Sequence, residues 1–113
     1  MKGVVDVIRG ACEQFQFKIP YAFDQLEKVE ITFKQKKHDG SILTLTKNKK
    51  DCAVMHEKSK IVYTKLTQEE TLRFISEAKA SVQWRAVTKN GVAFSSPIKK
   101  LTVYPALSTT ILS

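Results

Sequence analysis

Two cysteines and two histidines are the residues of this sequence best suited to covalent chemistry, because a thiol and an imidazole can act as nucleophile and base. They are Cys12, Cys52, His38 and His56. Such catalysis needs both groups and an orienting partner close together in space, yet both histidines stand near lysines in polar, turn-like segments. Free thiols and solvated histidines are the simpler interpretation. We therefore predict that the chain is not an enzyme.

The sequence also lacks the spacing of a metal or cofactor site. The cysteines form no Cys-x-x-Cys pair, and two thiolates alone do not complete a four-ligand zinc site. The turn at Asp39 does not continue with the alternating oxygen ligands of a calcium loop. The four glycines do not form a phosphate-binding loop. We predict no metal and no cofactor.

The charge of the chain is strongly positive, with 19 Lys and Arg against 11 Asp and Glu and a formal net charge of +8. A positive surface can bind a polyanion, because each phosphate contact releases counterions, or it can simply be solvated. The candidate polyanion contacts are Lys34, Lys36, Lys37, Lys47, Lys49 and Lys50. No aromatic residue in the lysine-rich loops provides a surface for base stacking, and the predicted hairpin separates the lysines into two groups. A small basic nucleic-acid-binding protein is therefore the alternative function and not the favoured one.

The length of 113 residues, with 42% hydrophobic and 27% charged residues, fits one domain with one core. No stretch approaches the roughly 18 apolar residues of a membrane span, so we predict no membrane association. Asp6 places a charge where the apolar part of a signal peptide would lie, so we expect no secretion by that route. A disulfide between Cys12 and Cys52 is allowed by count, but reduced and partly buried thiols are favoured in the absence of such a signal.

Hydrophobic and polar residues alternate along most of the chain, which is the period of a β-strand. The clearest strand segments are 14–19, 29–36 and 79–89. The run Thr67-Gln68-Glu69-Glu70 has the form of a helix capping box, so we predict one short helix near residues 67–75. The pattern predicts an all-β antiparallel sandwich or small barrel of about seven strands, with one domain in residues 1–104 and a C-terminal tail in residues 105–113.

Turn residues and a proline refine this arrangement. Asp39-Gly40 marks one hairpin, and Asn90-Gly91 predicts a type I′ turn in another. Pro97 lies in the return strand and cannot donate a ladder hydrogen bond, so we expect an edge or a bulge there. The residues predicted to form the core are Phe15, Phe17, Val29, Ile31, Phe33, Leu43, Tyr63, Leu72, Phe74, Val82 and Trp84.

A series of short motifs follows these elements along the chain. They are Ile8-Arg9-Gly10, Phe15-x-Phe17, Val29-x-Ile31-Thr32-Phe33-Lys34-Gln35, Leu66-Thr67-Gln68-Glu69-Glu70-Thr71-Leu72, Val82-Gln83-Trp84-Arg85 and Asn90-Gly91. From residue 8 to residue 104, this pattern resembles a family of small proteins from phages and prophages of Gram-positive bacteria. It is also similar to the Ig-like N-terminal domain of phage baseplate upper proteins.

The resemblance implies an Ig-like β-sandwich that acts as a structural or protein-interaction module, in the tail or baseplate of a phage. It implies other phage structural proteins, or further copies of the same chain, as partners. It also implies a location in the virion or, before assembly, in the cytoplasm of the bacterial host. The family has no catalytic residues to transfer to this chain. The sequence departs from the family pattern at residues 11–14 and over residues 36–59. The second region is longer and more basic than the family pattern implies.

Overall fold

A computed structural model of the chain describes residues 5–76, 78–107 and 112, and it contains strands, one α-helix and two short 3₁₀ turns. The strands are β1 (Val5–Ile8), β2 (Glu13–Lys18), β3 (Leu26–Lys36), β4 (Ile42–Asn48), β5 (Ile61–Leu66), β6 (Ala80–Thr88), β7 (Ala93–Ser95) and β8 (Lys99–Tyr104). The helix α1 spans Gln68–Leu72, and the 3₁₀ turns span Phe23–Gln25 and Lys49–Asp51. The prediction of an all-β sandwich with one short helix is confirmed. Residues 108–111 and 113 of the predicted tail lie outside the described residues, as do residues 1–4.

Two unequal sheets form the sandwich. The larger sheet has six strands in the order β1-β8-β6-β3-β4, with β7 also paired to β6, and the smaller sheet consists of β2 and β5. The pairs are antiparallel except for β1 and β8, which run parallel with Val7 opposite Val103. The predicted antiparallel sandwich is corrected at this one edge, because β1 adds beside the last strand of the sheet and not beside its neighbour in sequence.

The core lies between the two sheets, where the apolar side of each strand faces inward. The rings of Phe15 on β2 and Phe33 on β3 lie 5.1 Å apart, centre to centre, and so join the sheets directly. Of the predicted core residues, those buried are Phe15, Val29, Ile31, Phe33, Phe74, Val82 and Trp84. The four half-buried ones are Phe17, Leu43, Tyr63 and Leu72.

Tyr63 has the opposite orientation to the one predicted. In β5 the buried positions are Val62, Thr64 and Leu66, so Ile61 and Tyr63 lie on the outward side. Both sides of β5 carry large apolar residues, and only Lys65 marks the outward side, so alternation over its first residues left the inner face ambiguous.

The helix α1 begins with the predicted capping box. Thr67 Oγ1 accepts a hydrogen bond from the Glu70 N–H at 3.2 Å, and Glu70 Oε1 accepts one from the Thr67 N–H at 2.9 Å. The helix is shorter than predicted, and its stability depends on packing. Its buried Thr71 accepts a hydrogen bond from the Gly10 N–H at 3.0 Å, which joins the β1–β2 turn to the helix.

Both hairpin turns place glycine at positive φ, at Gly40 (φ 90°) and Gly91 (φ 89°). The Gly91 N–H donates to the Thr88 carbonyl at 2.9 Å, so the central turn residues are Lys89 and Asn90. The type I′ prediction is corrected, because Gly91 occupies the position after the central pair. This is the three-residue loop in which a left-handed glycine follows a type I turn.

The return strand breaks at Pro97 into β7 and β8, at the place where the sequence predicted an edge or a bulge. Ser96 maintains contact with β6 at the break. Its N–H donates to the Trp84 carbonyl at 2.9 Å, and its Oγ accepts from the Trp84 N–H at 3.0 Å. The hydroxyl oxygen of Ser96 therefore accepts the Trp84 N–H at the break, where a backbone carbonyl of the strand would otherwise accept it.

Candidate functional site

The two cysteines carry free thiols in different environments, Cys12 exposed and Cys52 half-buried. Burial and, to a smaller extent, the charge of the neighbouring Asp51 raise the pKa of Cys52 to about 11, with Lys47 opposing the effect. The Cys52 Sγ lies 3.3 Å from the Asn48 carbonyl oxygen, to which it can donate. Cys52 is therefore a protonated thiol near neutral pH, which is the opposite of an activated nucleophile.

The two histidines lie in exposed turns. His38 is in the tip between β3 and β4, and the Nδ1 of His56 accepts a hydrogen bond from the Lys58 N–H at 3.1 Å. In residues 5–76, 78–107 and 112, no three His, Cys, Asp or Glu side chains come together in a group that could hold a metal ion.

Lys47 is turned toward the inner side of the sandwich and forms an ion pair with Glu70. Its Nζ lies 2.9 Å from Oε1 and 2.7 Å from Oε2, with both side chains mostly buried. Burial raises the pKa of Glu70, but the hydrogen bonds from Lys47 and Thr67 and the charge of Lys47 lower it more, so the net pKa is below its usual value. Lys47 therefore joins β4 to the first turn of α1.

Lys49 also has partners within the chain. Its Nζ donates to the Leu26 carbonyl at 2.6 Å and lies 5.1 Å from the centre of the Phe23 ring. This cation–π contact and hydrogen bond hold the 3₁₀ turn after β4 against the start of β3.

Of the other four candidate lysines, three are exposed and Lys37 is half-buried, and they do not form a single cluster. Lys34 and Lys36 are exposed on the outer side of β3, Lys37 begins the hairpin tip, and Lys50 is exposed in the 3₁₀ turn after β4. The structure thus separates two lysines that stabilise the fold, Lys47 and Lys49, from four others, three of which are exposed. Their assignment as polyanion contacts stays a prediction.

The side of the large sheet that is turned away from β2 and β5 is here called the outer face. It carries charge that sequence reasoning missed. Register places Arg85 opposite Glu30, and Ser81 opposite both Lys34 and Lys100. The alternation of β6 and β8 carries the signal for this charge, because their outward positions include Arg85 and Lys100.

A shallow depression of about 300 Å³ lies in the middle of the outer face. Its lining includes Thr32, Lys34, Gln83, Arg85 and Ile98. Ile98 is 62% exposed, although it is a large aliphatic residue. A wide, shallow surface with small polar groups and an exposed apolar side chain is suited to contact with another protein more than to enclosure of a small molecule.

No protein-family model matches the chain, and no curated protein matches it. In the described part of the chain, the helices are all too short or too polar to cross a membrane.

Proposed function

We propose that this chain is a non-enzymatic structural or protein-interaction module of a phage or prophage, acting in the tail or baseplate. The open outer face carries the proposal, because its depression combines an exposed Ile98 with hydrogen-bonding and charged groups from Gln83 and Arg85. The phage setting is supported by the motif resemblance between residues 8 and 104. The chain would act in the virion and, before assembly, be present in the host cytoplasm.

The chemistry of the candidate nucleophiles favours a binding role. Cys52 has a pKa of about 11 and lies in a half-buried position, and each histidine lies in an exposed turn. Neither arrangement provides the activated nucleophile that covalent catalysis requires.

Photo-crosslinking in phage particles tests the proposed contact. Gln83→benzoylphenylalanine places the probe in the outer-face depression, and Lys65→benzoylphenylalanine places it on an exposed position of β5 in the small sheet. We expect the probe at position 83 to form an adduct with a tail or baseplate subunit, identified by mass spectrometry of purified particles. The probe at position 65 is the matched control. Equal labelling at both positions, or no labelling at position 83 in particles that contain the chain, would contradict the assignment.

A second candidate function, polyanion binding, is favoured by the charge of the same outer face. Lys34, Lys36, Arg85 and Lys100 come from three neighbouring strands, and Glu30 is the acidic residue facing them. The Arg85–Glu30 pair is wide, with 3.7 Å between Nη1 and Oε1, and exposed, so it contributes little to stability, and the four cations outnumber this one carboxylate. These four positive side chains share one face of the sheet, whereas the sequence suggested scattered charge.

Salt-dependent binding separates the two functions. Fluorescence anisotropy with labelled DNA and RNA at about 50 and 200 mM salt measures the electrostatic contribution, since phosphate contacts make binding fall steeply with salt. The double variant Lys34→Gln/Arg85→Gln removes charge from the outer face, and Lys65→Gln/Lys89→Gln removes the same charge elsewhere. A loss of binding with the first pair alone supports the second function. No binding of the wild type at low salt rejects it.

A further inference from the structure

The strand β4 is a long and open edge of the large sheet. It lies last in the strand order, spans Ile42–Asn48, and has exposed side chains at Ile42, Thr44 and Thr46. Natural edge strands are usually guarded by charge, proline or bulges. The one charged residue in β4 is Lys47, whose charge is paired with Glu70 on the inner side. The outward edge is therefore unguarded.

The register with β3 determines which backbone groups of β4 remain available. The Lys37 N–H donates to the Ser41 carbonyl at 2.8 Å, and the strands then continue with Gln35 opposite Leu43 and Phe33 opposite Leu45. Because hydrogen-bonded and non-bonded pairs alternate in an antiparallel ladder, Leu43 and Leu45 direct their N–H and C=O groups toward β3. Ile42, Thr44 and Thr46 direct theirs away from the sheet.

We propose that β4 pairs antiparallel with β4 of a second copy of this chain, around a two-fold axis at Thr44. In this register Thr44 faces Thr44 of the second copy, and Ile42 faces its Thr46. These are the three residues whose backbone groups point outward, so every hydrogen-bonded pair of the new ladder uses available groups. The two six-stranded sheets would become one continuous sheet.

The side chains are self-complementary in this register. On the outer side, β-branched residues meet β-branched residues, and on the inner side Leu43 meets Leu45 of the second copy. Such cross-strand pairs favour association. Lys47 falls opposite Ser41, so no lysine of the strand faces another lysine.

The backbone bonds at the end of β4 favour the same register. A register centred on Leu45 is less favourable because it would need the Asn48 N–H, which already donates to Asp51 Oδ2 at 2.9 Å.

The pairing is expected to be weak in dilute solution, because one edge contact buries less than the roughly 1,000 Å² of a stable interface. An assembly compensates for this by holding copies at high effective concentration. The inference therefore rests on the proposed structural role for its biological setting, although the pairing itself follows from β4 alone.

Disulfide trapping tests the two-fold axis. In a Cys12→Ser/Cys52→Ala background, Thr44→Cys brings two thiols together across the axis, where paired Cα atoms lie about 5.5 Å apart. Thr46→Cys is the matched control on the same side of β4, because its two copies would be more than about 7 Å apart and beyond disulfide reach. We expect mild oxidation to give covalent dimer from Thr44→Cys at least about tenfold faster than from Thr46→Cys. Equal rates, or a faster rate for Thr46→Cys, overturn the proposal.

Sedimentation equilibrium of the chain with its native cysteines reduced provides the second test. We expect reversible dimerisation that strengthens with salt, because two chains of net charge +8 repel one another. Thr44→Lys, which places like charges opposite each other, should weaken the dimer at least about fivefold, while the β-branched Thr44→Val should retain it. A monomer at concentrations up to about 1 mM overturns the pairing. Crosslinking at position 83 in particles would still be possible, so the two proposals fail separately.

Discussion

Lys47 and Glu70 form a two-oxygen ion pair that joins the edge strand β4 to the first turn of α1, with Nζ 2.7 Å and 2.9 Å from the carboxylate oxygens. Glu70 also accepts the Thr67 N–H of the capping box. One carboxylate thus caps a five-residue helix and neutralises the charge of a strand that would otherwise repel a partner edge. Helix stability and the character of the β4 edge are consequently coupled.

Replacement of Lys47 should lower stability through this pair. We expect Lys47→Met to reduce the free energy of unfolding by about 1–3 kcal/mol, because hydrogen bonds to a charged group are lost and a partly buried carboxylate loses its counter-charge. Urea unfolding measures the change. Lys50→Met, which alters an exposed lysine of the following turn, is the control and should change stability by less than about 0.5 kcal/mol. Equal effects of the two substitutions would show that the ion pair contributes nothing to the free energy of unfolding.

The same pair should make stability depend on pH. Since the pKa of Glu70 is lowered in the folded chain, its contribution is fully present above its unfolded value near 4.5 and is lost as pH falls through the lower folded value. The stability difference between the wild type and Lys47→Met should therefore be larger at pH 7 than at about pH 3. A difference that stays constant between the two conditions would be inconsistent with an ionised Glu70 as the partner.

Trp84 should be one of the most sensitive core positions. It is buried on β6 and packs edge-on against Phe94, with 5.6 Å between ring centres. Trp84→Ala should cost about 3–5 kcal/mol, enough to unfold a marginal domain. The neighbouring Arg85→Ala, on the exposed side of the strand, should cost less than about 1 kcal/mol. Thermal unfolding followed by circular dichroism compares them, and an unchanged melting temperature for Trp84→Ala would remove this residue from the core.

The two thiols should differ strongly in reactivity. With a pKa of about 11, Cys52 is almost entirely protonated at pH 7.5, and its burial also limits access, whereas Cys12 is exposed. We expect iodoacetamide to modify Cys12 first and Cys52 at least about 100-fold more slowly. Peptide mass spectrometry over time measures both rates in one sample. Comparable rates would mean that Cys52 is not shielded in solution.

Local signals in the sequence were sufficient for several elements. The capping box at Thr67 requires only four consecutive residues, and the alternation around Phe33 correctly assigns the inner side of β3. Pro97 predicts an irregularity in the return strand because it lacks an N–H for the ladder. These features depend on neighbours in sequence, which a single chain displays directly.

Features that depend on distant contacts could not be predicted in this way. Gln35 is almost fully buried, and its side chain bonds to the backbone of Ile75 at 2.7 and 2.8 Å and to the Ala78 carbonyl at 3.1 Å. The alternation of β3 points Gln35 inward, but its polar character gives no indication of the loop it holds. The parallel addition of β1 to β8 likewise depends on two segments at opposite ends of the chain.

The candidate surface was only partly visible in the sequence for the same reason. Lys34 and Arg85 lie far apart in sequence, and the β3–β6 register brings both to the lining of the same depression on the outer face. Lys47 belongs to the basic run by composition, yet its pairing with Glu70 depends on the position of α1. The run of lysines in the sequence therefore overestimates the free charge around Lys47, and it does not indicate the charge that Arg85 adds to the outer face.

The most direct test of the proposed role is quantitative mass spectrometry of purified phage particles from a host that encodes this chain. We expect the chain to be present in constant ratio to the tail and baseplate subunits and to remain bound after washing at moderate salt. Absence from intact particles, with the chain recovered only from the host lysate, would contradict a role in the virion.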